Sequence, residues 1–270
     1  MNQKNALDRL INLVNADQGM IPELIHDAAY RRTKVRLGTV YAGLAGRASH
    51  QAIFDYFVKS DIGACKQNFY LSAKLSLASS GMDGAASASV GLKMLSAMLS
   101  DNEEVIEELA KAEAAALASE IHDPKSSAAF QYRFNLAVLG RDRELEQLVE
   151  EVRRKGTKAD RQAISNGEYF FSLLLARDSE KLKALIEKRH ANIKSAWPAF
   201  EDFISYLGTL ETKLCWRRGI PVQIDHPLVP MELMPVRPLD HYDDVYDFLK
   251  PGWVPPPQGL VGRISRWFKK

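Results

Sequence analysis

The sequence predicts an all-α protein of antiparallel helical hairpins, arranged as a bundle or a short repeat-like array and followed by a proline-rich, largely irregular C-terminal segment. Three observations lead there. Apolar residues recur at helical spacing almost everywhere up to residue 218. Strand-like runs are scarce over the same stretch. Nine of the 12 prolines then fall after Arg218, where each removes a backbone donor and restricts the residue before it, so no long regular helix can run there.

Taken in order, Leu7, Leu10, Ile11 and Val14 form the first apolar stripe at i, i+3, i+4 and i+7. Helices are predicted over 21–34, 36–46, 48–59, 62–79, 86–100, 126–140 and 158–176. Leu145, Leu148, Val149 and Val152 make a further stripe, as do Phe200, Phe203, Ile204 and Leu207. The glycines of "GLAGRAS" at 43–49 mark a close helix packing point or a turn. "LASSGMDGAASAS" at 77–89 reads as a lobe junction or a flexible helix junction, because Gly81 and Gly84 interrupt helix without requiring a domain boundary. A helical body over 1–220, with two lobes, is the expectation.

One theme recurs in "MLSDNEEVIEELAK", "VLGRDRELEQLVEE" and "LLARDSEKLKALIEK". In each an apolar helix ends, a polar turn follows, and Asn102, Asp142 or Asp178 stands where a side chain accepts the free N–H groups of the next helix. The steps, 40 from 102 to 142 and 36 from 142 to 178, lie near the roughly 34 of tetratricopeptide and the 40–47 of HEAT repeats. The small and aromatic residues of the tetratricopeptide pattern cannot be placed in all three copies, which favours ordinary antiparallel hairpins over a solenoid.

After Arg218, short helical pieces are predicted at 230–234 and 241–249, with extended chain between. Val222, Ile224, Leu228, Val229, Leu233 and Met234 give the 221–257 segment reason to pack on the body; a free linker needs no such residues. Between 222 and 249 six acids, Asp225, Glu232, Asp240, Asp243, Asp244 and Asp247, face one basic residue, Arg237. The sign reverses beyond, where Lys250, Arg263, Arg266, Lys269 and Lys270 accompany an apolar set at Leu260, Val261, Ile264, Trp267 and Phe268. A basic amphipathic tail over 258–270 is expected to dock on its own protein, since a short helix with few cations binds membranes weakly.

Several function classes are disfavoured. With 36 Lys plus Arg against 34 Asp plus Glu, a net charge of +2 advertises no nucleic-acid partner. The charged N-terminus lacks a signal-peptide core, and the longest apolar run, "YFFSLLLA" at 169–176, is far short of the roughly 20 residues that span a bilayer. A soluble cytoplasmic protein is expected. Cys65 and Cys215 fit two thiols in a reducing compartment, and a single disulfide between them stays open.

No catalytic motif is present. His26-Asp27 and His122-Asp123 carry the dipeptide of metal-dependent phosphohydrolases, but the second precedes Pro124, a natural place for a helix to end. Asp225-His226 and Asp240-His241 are the better metal pairs, yet Asp240 has a structural role available. It can cap a helix starting at His241 by accepting from the Asp243 N–H, with Asp243 and Asp244 near the positive helix end. There is no GxxxxGK[ST], G-x-G-x-x-G or G-x-S-x-G. Neither catalytic residue, metal nor cofactor is expected.

The segments "YLGTLETKLCWRRGIPVQID" at 206–225 and "PLVPMELMPVRPLDHYDDVYDFL" after it resemble the immunity proteins of bacterial polymorphic toxin systems, most closely the immunity protein 49 family. In that family a late helix ends in basic residues and passes through V-x-I-D to a proline-bounded acidic tail. The resemblance covers the last two-thirds of the chain. It implies a protein that catalyses nothing, binds a cognate toxin and occludes its active surface or holds it inactive. Many such toxins degrade nucleic acid through basic clefts, so Asp240, Asp243, Asp244 and Asp247, with Tyr242 and Tyr246, to imitate phosphates and stacked bases, are the candidate partner-binding residues, and Asp243, Asp244 and Asp247 are expected to be exposed. A tetratricopeptide-like adaptor holding a peptide among its hairpins is the alternative.

Overall fold

The computed structural model describes residues 3–82, 90–118, 121–190 and 201–257. Among them the regular structure is helical and no β-strand occurs. The chain divides into two compact units, one of residues 1–89 with 239–270 and one of residues 90–238. The expected basic tail at 258–270 lies outside the described residues, as do most of the glycine-rich stretch, the start of the 86–100 helix and Phe200.

The first unit holds α1 (Gln3–Tyr30), α2 (Leu37–Phe57) and α3 (Ile62–Ser79). Both α1 and α2 run through breaks the sequence suggested. Pro22 sits inside α1 and removes one helical hydrogen bond there. Ile21, Leu24 and Ile25 beside it pack on Leu44, Ala45 and Leu75 of α2 and α3, which holds the helix together across the proline. The "GLAGRAS" stretch is a packing point within α2. A Cβ on Gly43 would stand 3.7 Å from Leu24 Cδ1 of α1, an ordinary van der Waals distance, so the two helices touch here without requiring a glycine. Asp61 starts α3, accepting from the Ala64 N–H at 2.8 Å.

The second unit contains α4 (Val90–Ser100), α5 (Glu103–Leu117), α6 (Ser127–Val138), α7 (Asp142–Lys155), α8 (Lys158–Ser165), α9 (Phe170–Leu175), α10 (Ser179–His190) and α11 (Tyr206–Arg217). Most successive helices pack as hairpins, with α9 packing on α7 and α10, and α11 packs against both α10 and α4. A last helix that returns to the first makes a bundle; in an open repeat array each element meets only its sequence neighbours.

The repeated turns share a backbone device. Asp101, Gly140 and Arg177 all take positive φ, at 59°, 67° and 56°. Asn102 then accepts from Val105 N–H at 2.9 Å and Asp178 from Lys181 N–H at 3.1 Å, as the sequence led us to expect. Asp142 does not cap. Once Gly140 takes the left-handed position, Arg141 falls at the cap and Asp142 becomes the first helical residue, where it binds Arg218 instead. The helix expected over 158–176 is likewise divided. Gly167, at φ 68°, closes α8 with Glu168 N–H donating to Ala163 O and Gly167 N–H to Ile164 O, a Schellman ending. At the other stripe, residues 201–203 form a turn and α11 starts only after Ser205, whose hydroxyl accepts from Gly208 N–H.

The "ETKLCWRRG" stretch of α11 and the turn after it takes charge into the interior. Thr209, Glu211, Thr212 and Lys213 have no exposed surface, so its charges need internal partners. Glu211 pairs with Arg189 at 2.7 Å. Lys213 Nζ lies 2.6 Å from Asp101 Oδ1 and donates to the carbonyls of Leu233, Met234 and Pro235 at 2.7, 3.2 and 3.4 Å. Asp101 also accepts from the Arg237 N–H at 3.2 Å. Arg217 binds both carboxylate oxygens of Glu103 and Arg218 both of Asp142, each at the start of a different helix. Beyond Gly219, Ile220, Val222 and Ile224 are buried, Trp216 Nε1 donates to Val222 O at 2.8 Å, and the predicted short piece near 230–234 is a 3-10 turn over Met231–Leu233. Cys65 and Cys215 are both buried free thiols, whose ionisation burial opposes strongly.

Candidate functional site

Residues 239–246 form no helix; the piece predicted over 241–249 shrinks to a 3-10 turn at Asp247–Leu249. The competing partner is Gln67 of α3. Its Oε1 accepts from the Asp243 N–H at 3.0 Å, and its Nε2 donates to the Asp243 carbonyl at 2.9 Å. The N–H that Asp240 was to cap is therefore used, and the backbone is held extended. Alternate side chains of an extended chain point to opposite sides. Tyr242, Asp244, Tyr246 and Phe248 are half-buried, whereas Asp243, Val245 and Asp247 between them are exposed, as are Asp240 and His241.

The inward set is fixed residue by residue. The Tyr242 ring lies 4.9 Å from that of Tyr70, and its hydroxyl accepts from Leu239 N–H at 3.0 Å. Tyr70 donates its hydroxyl to Asp244 Oδ1 at 2.8 Å, and Lys74 Nζ stands 3.1 Å from the Tyr70 hydroxyl and 3.5 Å from Asp244 Oδ2. Burial raises the Tyr70 pKa; for Lys74 burial opposes the charge, but Tyr70 and Asp244 together outweigh it and hold the ammonium above its ordinary value. Tyr246 stacks on Phe248 at 5.3 Å, and Phe248 on Tyr41 at 5.1 Å, over the Leu44, Ala45 and Leu75 cluster. Burial pushes the Tyr246 phenol up. Trp253 closes the row edge-on to Phe248, with the Arg32 guanidinium 5.3 Å above its ring and donating to the Tyr41 hydroxyl.

Asp244 thus departs from the expectation of exposure. Its side chain is 16% exposed, against 72% for Asp243 and 78% for Asp247. The outward carboxylates have light partners of their own: His241 Nε2 is 2.9 Å from Asp243 Oδ1, and Lys250 Nζ is 2.6 Å from Asp247 Oδ1, an interaction that raises the lysine's pKa.

The other sequence candidates sit apart from this arrangement. Asp27 of α1 pairs with Arg31 just past the helix end, and Asp123 accepts from Lys125 N–H in the turn before α6. His226 Nδ1 accepts from Leu228 N–H, and Asp225 N–H donates to Glu187. Among the described residues no three His, Cys, Asp or Glu side chains gather as a metal-binding group. No described helix is long and apolar enough to cross a membrane. Sequence reasoning did not find Gln67, Tyr70, Lys74 or Tyr41. Three of them stand at i, i+3 and i+7 on α3, a polar stripe whose only signal was its spacing.

The architecture is that of an all-α bundle protein. The chain belongs to the Immunity protein 49 family, whose model matches residues 35–233. The match reaches further upstream than the last two-thirds, taking in α2 and α3, and stops at Leu233, so the segment from Pro235 onward lies past its end. No curated protein and no solved structure matches the chain.

Proposed function

We propose that the protein binds a cognate bacterial toxin in the cytoplasm and neutralises it by covering its active surface, with no chemical step of its own. Asp240, Asp243 and Asp247 form the contact face, and Tyr242, Asp244 and Tyr246 hold that face in position. Family membership supports a toxin partner. The observation that carries the choice of face is the alternation from Tyr242 to Phe248, extended as far as Tyr246 and then a 3-10 turn, which anchors one side and turns Asp243 and Asp247 outward, with Asp240 exposed just ahead of it. A pre-shaped acidic surface loses little conformational freedom on binding and attracts a basic cleft at long range.

The test is survival. The toxin is identified by affinity capture from the native strain and expressed with either the natural chain or its Asp240→Asn, Asp243→Asn, Asp247→Asn variant at matched abundance. The natural chain protects and the variant does not. Killing despite the natural chain removes the immunity function; full protection by the variant moves the contact face elsewhere.

A further inference from the structure

We propose that the surface of α2 and α3 beneath residues 242–248 is a receptor for extended acidic and aromatic peptides, filled in cis by this chain and able to take a partner's segment of the same chemistry. The inference does not depend on the toxin contact. Three features separate a receptor from ordinary packing of a C-terminal segment.

First, the main chain is gripped by a side chain. Gln67 takes the N–H and the carbonyl of a single residue, Asp243, as a neighbouring strand would, and such a grip holds any extended peptide whatever its sequence. Second, alternate positions meet distinct chemistry. Tyr242 lies against the Tyr70 ring, the Asp244 carboxylate meets the Tyr70 hydroxyl and the Lys74 ammonium, and Tyr246 and Phe248 continue an aromatic stack that ends on Tyr41. The pattern selected is Tyr-x-Asp-x-Tyr-x-Phe. Third, the receptor side has its own core. Leu44, Ala45 and Leu75 are buried between α2 and α3 and are packed by Ile21, Leu24 and Ile25 of α1 as well as by Tyr246, Phe248 and Leu249 of the segment, so α1 shares the covering of this core and these helices do not depend on the segment alone for burial. A partner segment has the same contacts available as the cis segment, and it competes against the high effective concentration of a tethered ligand.

The experiment uses the full chain with Tyr242→Ala, Tyr246→Ala and Phe248→Ala, together with a fluorescein-labelled synthetic peptide of residues 239–249. Fluorescence anisotropy should show saturable one-to-one binding to the variant and binding about tenfold or more weaker to the natural chain, whose own segment fills the site. Adding Gln67→Ala or Lys74→Glu to the variant, or Asp244→Ala to the peptide, should weaken binding about tenfold or more. A variant that keeps its helical circular dichroism and binds no peptide overturns the proposal. So does a variant that loses its fold, since the segment is then part of the unit's core. A second arm inserts a protease site between Pro238 and Leu239 of the natural chain. After cleavage, exchange of the released segment for labelled peptide supports a receptor, and failure to exchange under native conditions contradicts it.

Discussion

Lys213→Met is the most informative single change in the helical body. The lysine side chain and its partner Asp101 both have no exposed surface, and the ammonium sits 2.6 Å from the carboxylate while donating to the Leu233 and Met234 carbonyls. Methionine preserves most of the aliphatic stem and removes the charge. Breaking a buried ion pair from one side costs about 3–5 kcal/mol, because the remaining charge stays in the interior. For a chain of this size that corresponds to a fall of roughly 10 °C in the thermal midpoint. Urea and thermal melts followed by helical circular dichroism measure it. The damage should also be local, with faster amide hydrogen exchange over residues 233–237, the stretch that Lys213 and Asp101 pin. Adding Asp101→Asn removes the stranded carboxylate and should recover part of the loss, since asparagine accepts the positive φ of that turn. A single variant within about 0.5 kcal/mol of the natural chain, or a double variant no better than the single, would refute the assignment of this pair as the fastening of the C-terminal segment.

Burial pushes the Glu113 carboxyl from its ordinary 4.5 up to about 8, so the folded state keeps a proton that the unfolded state releases. Stability should therefore fall by about 1.4 kcal/mol per pH unit between pH 5 and 8 through this group, and Glu113→Gln should flatten that slope in urea titrations and be the more stable protein at pH 8. Asn102→Ala should cost about 1 kcal/mol by removing the α5 cap, whereas Arg141→Ala should cost less, about 0.5 kcal/mol at most, because it removes an exposed ion pair with Glu144 and no side-chain cap. Gly167→Ala meets no atom within 4 Å but must adopt φ 68°, so about 1 kcal/mol of backbone strain should appear in the same assay.

The helical class was legible because amphipathic spacing is local. Leu10, Val14, Leu145, Val149 and Val152 were all read as core from their intervals, and all are buried. Helix ends were less legible where tertiary contacts outweighed punctuation. Pro22 did not stop α1, while Gly167 broke a helix in two by taking positive φ. The one-residue offset at Asp142 has the same origin, since the left-handed residue, rather than the acid, sets the turn. At the candidate site, composition picked out the acidic tyrosine-bearing segment, but its conformation depended on Gln67, which lies 176 residues upstream. No local rule distinguishes a short helix capped by Asp240 from an extended chain gripped by a distant amide. That choice decided which carboxylates face outward, and hence why Asp244 is held on Tyr70 and Lys74 while Asp243 is not.

Asp240, Asp243 and Asp247 are proposed to meet a basic toxin surface. Calorimetric titration of the captured toxin with the natural chain and with the triple Asn variant, at low and high salt, tests it most directly. The variant should bind more weakly, with the gap narrowing at high salt because charges beyond a Debye length of about 8 Å or less are screened. Equal affinities for the two proteins at low salt, with the variant's helical spectrum intact, would contradict it.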